Sequence, residues 1–157
     1  MGYGNYSYDA HQALTQARAG KSQQEVFAQR GVHPLMNPFG VKARESRDSP
    51  AHPKSLGVVF ALDVTGSMGE IPNQLARKQL PSFMKTLGEL HVADPQILFM
   101  AVGDAETDQG PLQAGQFESS EKEIDQWLTW SWLEGHGGGN GADEREPRHD
   151  DSRSEDY

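Results

Sequence analysis

The sequence predicts an α/β fold built on a parallel sheet, and three observations carry that prediction. Leu56-Gly57-Val58-Val59-Phe60-Ala61-Leu62 is a continuous apolar run with β-branched and aromatic content, the pattern of a strand buried on both faces. Ile71, Leu75, Leu80, Phe83, Met84 and Leu87 then recur at helical spacing. A second apolar run, Ile97-Leu98-Phe99-Met100-Ala101-Val102, follows. Strand, helical crossover and strand in that order make a right-handed βαβ unit with parallel neighbours.

The elements follow in order along the chain. Residues 1–55 form a polar extension broken by Pro34, Pro38, Pro50 and Pro53, with room for two short helices. One covers residues 8–19. The other opens at Ser22 with Glu25 three positions on, a capping box, and closes at Gly31. In the crossover helix Pro72 is tolerable in the first turn, whereas Pro81 implies a kink. Asp94-Pro95 announces the second strand, and residues 112–117 read as a short edge strand. Ser120 with Glu123 forms a second capping box ahead of a helix carrying Ile124, Trp127, Leu128 and Trp132. These tryptophans are expected to face the sheet as core, the alternative being a partner surface that includes Trp130. Nothing later in the sequence supplies a lid for so aromatic a helix. Residues 142–157 hold seven acidic and three basic side chains and read as a solvated, disordered tail.

Composition excludes several functions. With 157 residues and a formal charge of −9, the chain is a poor nucleic-acid binder. It has no cysteine, hence no disulfide framework, thiolate metal site, cysteine nucleophile or iron-sulfur cluster. No run approaches the roughly 18 apolar residues of a membrane span, and the amino terminus lacks the layout of a secretory signal. A cytoplasmic location is the expectation.

The chemistry concentrates in Asp63-Val64-Thr65-Gly66-Ser67-Met68, between the first strand and the helix it feeds. Ligands of open α/β sheets bind beyond the carboxyl ends of strands, where these oxygen-bearing side chains converge. Carboxylate and hydroxyl oxygens suit a hard divalent cation. Thr65 and Ser67 add oxygens without charge, leaving the ion electrophilic toward an incoming carboxylate. Two other readings stand beside this one. The three side chains would also serve as helix caps. A strand-end aspartate is also the nucleophile of aspartyl phosphotransferases, which place a second aspartate two positions on as general acid, where this chain has Thr65.

The string resembles the metal-ion-dependent adhesion site of the von Willebrand factor A domain family, and its Thr-Gly-Ser-Met form is closest to the bacterial branch. The resemblance implies a Rossmann-like, three-layer fold with a parallel sheet flanked by helices. It implies magnesium or manganese held by Asp63, Thr65 and Ser67, with an open position for an acidic residue of a partner protein. Most members bind and do not catalyse, so no enzymatic activity is expected. Bacterial relatives often accompany ring-forming ATPases, which suggests such a partner. Val102-Gly103-Asp104-Ala105-Glu106 is similar to a Gly-Asp turn of that branch, which puts Asp104 in reach of the metal's outer shell; an ordinary acidic turn is the other reading. In His136-Gly137-Gly138-Gly139-Asn140-Gly141, where the family usually has Gly-Gly-Thr, Asn140 is the polar residue in place of the threonine.

The likeness covers residues 56–141, the first half of such a domain, and stops after the second main helix. The expectation is therefore a truncated domain whose open sheet edge invites self-association or completion by another chain. A metal-independent fragment associating through that edge and the tryptophan helix is the alternative function.

Overall fold

The computed structural model describes residues 4–66 and 70–134. Helix α1 (Tyr8–Gln16) and the single turn α2 (Gln23–Val26) precede a 3-10 turn at Pro34–Met36. Strand β1 (Leu56–Asp63) leads to α3 (Glu70–Gln74), a π-helical stretch Leu75–Gln79 and α4 (Leu80–Glu89). Strand β2 (Pro95–Val102), β3 (Leu112–Ala114) and α5 (Glu121–Thr129) complete the order. The architecture is α/β, as expected, but the sheet is mixed where a parallel one is expected, because the short connection from β2 brings β3 back antiparallel to it. The sheet has three strands in the order β1-β2-β3, with β1 and β2 parallel from Leu56↔Pro95 to Asp63↔Val102 and β3 antiparallel to β2. Among the described residues no helix is long and apolar enough to cross a membrane.

Alternation sorts the sheet into two faces. Val58, Phe60 and Leu62 share a face with their register partners Ile97, Phe99 and Ala101. Phe60 stacks beside Phe99 and meets Phe83 of α4 edge-on at 5.0 Å. Helices α1, α4 and α5 and the π-helical stretch contact one another and make this layer. On the other face an extended segment crosses the sheet. The Gln96 side chain accepts from Arg47 N at 3.1 Å and donates to Arg47 O at 3.2 Å, an imitation of a strand bridge, and Arg44 Nε donates to Gly115 O at 2.8 Å.

Three further expectations are corrected and one, at Pro81, is made specific. The apolar run of β1 was expected to be buried on both faces, yet only Leu62 is fully buried; β1 is the end strand, with no neighbour on its outer side among the described residues. Strand β2, flanked on both sides, is the one that fits the description. Second, the break expected at Pro81 is accompanied by a change of helix type, the π-helical stretch just before α4. Leu80 N bonds to Leu75 O, a span of five residues, and in that pattern the next carbonyl, Ala76, would need an N–H from Pro81. Arg18 Nη1 supplies the missing donor at 3.0 Å. Third, the Ser120 hydroxyl makes no cap bond to the backbone and donates to Glu123 Oε2 at 2.5 Å, so that pair is no capping box. Ser22 and Glu25 do form theirs. Fourth, α5 has a lid after all, supplied from earlier in the chain: α1 packs on it, and His33 stacks on Trp130 at 3.9 Å. Trp127 is buried as core.

The amino-terminal extension is knit into the domain. Val26, Phe27 and Met36 join the hydrophobic core, and His11 is fully buried. Arg18 pairs with Asp125 of α5 through both guanidinium nitrogens, and Arg77 returns the tie by donating to Arg18 O at 3.1 Å. The tail 142–157 lies outside the described residues.

Candidate metal centre at the carboxyl edge of the sheet

Parallel pairing brings the carboxyl ends of β1 and β2 to one edge, where Val64 N donates to Val102 O at 3.0 Å. Asp63 is the last residue of β1 and is exposed. Its Oδ1 accepts from Thr65 N at 2.9 Å and from Thr65 Oγ1 at 2.5 Å. The hydroxyl bond and then the amide bond from Thr65 hold the Asp63 carboxyl below the usual carboxylate range. The group is therefore anionic across the physiological range. Because the Thr65 hydroxyl spends its proton on Asp63, what its oxygen has left to offer is acceptor lone pairs. Oδ2 of Asp63 has no hydrogen-bond partner among the described residues.

These donors fit a hard divalent ion. One carboxylate and one oriented hydroxyl, both oxygen and both accessible, are the ligand types magnesium and manganese take, with water filling the remaining positions. Ser67 and Asn140 lie outside the described residues. Among the described residues no group of three or more His, Asp or Glu side chains is placed to hold a metal, so a cation here rests on the mixed carboxylate and hydroxyl set.

Asp104 stands at the same edge, two residues beyond β2. Its side chain is occupied by its own turn: Oδ1 accepts from Glu106 N at 2.8 Å, and Asp104 N donates to Asp108 Oδ2 at 2.6 Å. The turn closes so tightly that a Cβ on Gly103 would sit 2.4 Å from Asp108 Oδ2, so a larger residue there would displace the Asp108 carboxylate. Asp104 thus lends negative charge to the edge while its Oδ1 serves local structure.

Sequence reasoning missed a buried polar set on the helical layer. His11 Nδ1 meets Tyr6 Oη at 2.8 Å, while Nε2 lies 3.8 Å from Asp125 Oδ1 without a hydrogen bond. Burial pushes the His11 ring below its ordinary range, against the opposing pull of Asp125, and pushes the Tyr6 phenol upward. No local signal announces the Arg18–Asp125 pair, whose members are 107 residues apart.

No protein-family model, curated protein or solved structure matches this chain.

Proposed function

We propose that the chain is a non-catalytic, divalent-cation-dependent protein-binding module of the von Willebrand factor A type, with a Rossmann-like sheet. Asp63 and Thr65, together with Ser67, would hold magnesium or manganese. The bound cation would supply an electrophilic position for a carboxylate of a partner protein, in a cytoplasmic setting that suits a ring-forming ATPase as that partner. The observation that supports this reading is the strand-end pair itself. An exposed carboxylate held low by a hydrogen bond from a neighbouring hydroxyl stands at the edge where α/β sheets bind ligands. A single formal charge in the donor set leaves a divalent ion able to attract one more anion. Thr65 also stands where a phosphotransferase would need a carboxylic acid, and a hydroxyl does not do that proton transfer near neutral pH.

The test is a titration of magnesium and manganese into the purified chain, following thermal unfolding and tryptophan fluorescence, with Asp63→Ala and Ser67→Ala beside the parent. Cation binding to the native state raises the parent's Tm and leaves both variants unmoved. A parent Tm that ignores both ions, in a chain that melts cooperatively, overturns the reading.

A second reading is favoured by the open side of β1, where Leu56 is 48% and Val59 50% exposed. An edge that is unpaired among the described residues and apolar from Leu56 to Leu62 would recruit a strand without any metal. A complex that survives chelation and the Asp63→Ala change would support it.

A further inference from the structure

His52 is buried in the segment that leads into β1, and both its ring nitrogens face oxygens that bring no hydrogen. Nδ1 lies 3.1 Å from Asp94 Oδ1, and Nε2 lies 2.9 Å from the backbone oxygen of Gly4. Its backbone is satisfied separately, through Ser49. A neutral imidazole has one N–H and serves the carboxylate or the carbonyl, never both; only the doubly protonated ring donates on both sides. We propose that His52 is a proton-operated clasp, fastening the amino-terminal residues of the chain to the entry of the sheet when doubly protonated and releasing Gly4 when one proton leaves.

The surroundings make release specific to Gly4. Among the described residues Asp94 is the charged side chain against the ring and the extension offers the Gly4 carbonyl; on the ring's own segment Asp48 is engaged by Ser55 while Lys54 is exposed. When one proton is lost, the other stays on Nδ1, because a carboxylate is the stronger acceptor. The Nε2 lone pair then confronts the carbonyl lone pairs of Gly4. Asp94 itself is held in place: it adopts φ 45° and its backbone oxygen accepts from Leu56 N at 3.1 Å, tying the starts of β1 and β2. Gly4 is pressed on the start of α5, where a Cβ would come within 2.6 Å of Ser120 Cβ, and Ser7 N donates to Glu121 Oε2 at 2.9 Å. Opening the clasp loosens the extension at residues 4–7, where it meets α5.

The experiment is NMR on the full chain between about pH 8 and about pH 5, the histidine range. It reads the nitrogen shifts of the His52 ring and the exchange of the amides at residues 5–7, corrected for intrinsic rate. The ring is expected to carry two protons on the acid side, with exchange at residues 5–7 slowing about tenfold as it gains the second, the effect of one charge-assisted hydrogen bond. In His52→Gln that pH dependence disappears. Asp94→Asn, which leaves the ring in place but removes the carboxylate it faces, alters that pH dependence and covers the case in which His52→Gln does not fold. A ring with one proton throughout, or amide protection with the same pH dependence in either variant as in the parent, overturns the proposal.

Discussion

Strands β1 and β2 pair residue for residue over their whole length, and over most of that length neither carries a charge. They nevertheless live in different surroundings. β2 lies between two neighbours under helices on one side and an extended segment on the other, and Phe99 and Ala101 are fully buried. β1 has one neighbour among the described residues, and Leu56 and Val59 remain half exposed. An apolar run therefore specifies a strand but not its burial; the number of neighbours does that. The difference also decides what each strand can do. The closed strand fixes the core, whereas the open one ends in the exposed Asp63–Thr65 pair.

The contrast is broken most forcefully in its closed half. Phe99→Ala empties a site with no solvent exposure and is expected to cost about 3–5 kcal/mol in urea unfolding. Phe60→Ala, on the neighbouring position of the half-buried strand, should cost about half as much. Equal losses would mean that β1 is as enclosed as β2 in solution. Next in size is Asp125→Ala, which strips the partner from Arg18 inside the helical layer and should cost about 3 kcal/mol. Asp63→Ala, at the exposed end of β1, should stay within about 0.5 kcal/mol in the absence of cations.

A smaller effect comes from pH. Burial holds the His11 ring below its ordinary value, so the native state binds fewer protons than the unfolded chain between the two values. Stability from this source is complete above the unfolded value of about 6.5, falls as pH drops below it, and levels off beneath the folded value. Urea midpoints at about pH 7.5 and about pH 5.5 should therefore separate, with the acid one lower, and His11→Gln should reduce the separation. Since the variant changes His11 alone, the difference between parent and His11→Gln isolates His11. The carboxylates of Glu25, Asp48 and Asp63, each held low by hydrogen bonds, contribute in a separate window. Their stabilisation is present above about pH 4 and lost as pH falls through their folded values.

What the sequence made legible was local. The two apolar runs, the Ser22–Glu25 box and the strand-end position of Asp63 all follow from patterns within a few residues, and the structure has each of them. The contacts it concealed join distant segments. Arg18 completes a carbonyl at Ala76 that Pro81 leaves without a donor, and His52 reaches both Gly4 and Asp94. The polar extension reads as a lead-in because its apolar residues are sparse, yet Val26, Phe27 and Met36 reach the core one at a time, without periodicity. Sidedness was equally hidden, since a run that is apolar at every position gives no sign of which side lacks a neighbour. At the site, Asp63 and Thr65 were legible as a pair because a single residue, Val64, separates them. That Asp104 would spend its side chain on Glu106 was legible only as the ordinary-turn alternative.

The smallest stability effect tests the open strand most directly. Val59→Lys places a charge on the outward face of β1, where half the native side chain is already in water, so unfolding free energy should change by no more than about 0.5 kcal/mol. Association through the edge should nevertheless fall, because a lysine on an unpaired strand must be desolvated before a second strand can pair there. Sedimentation of parent and variant over a range of concentrations separates the two effects. A parent that self-associates and a variant that does not, with equal urea midpoints, assigns association to the β1 edge. The same lysine at Leu98, on the register partner in β2, should abolish folding, since the ammonium would have no route to water from a side chain only 3% exposed. If Val59→Lys unfolds the chain as Leu98→Lys does, the outer side of β1 is covered in solution, and the open edge no longer supports a metal-independent reading.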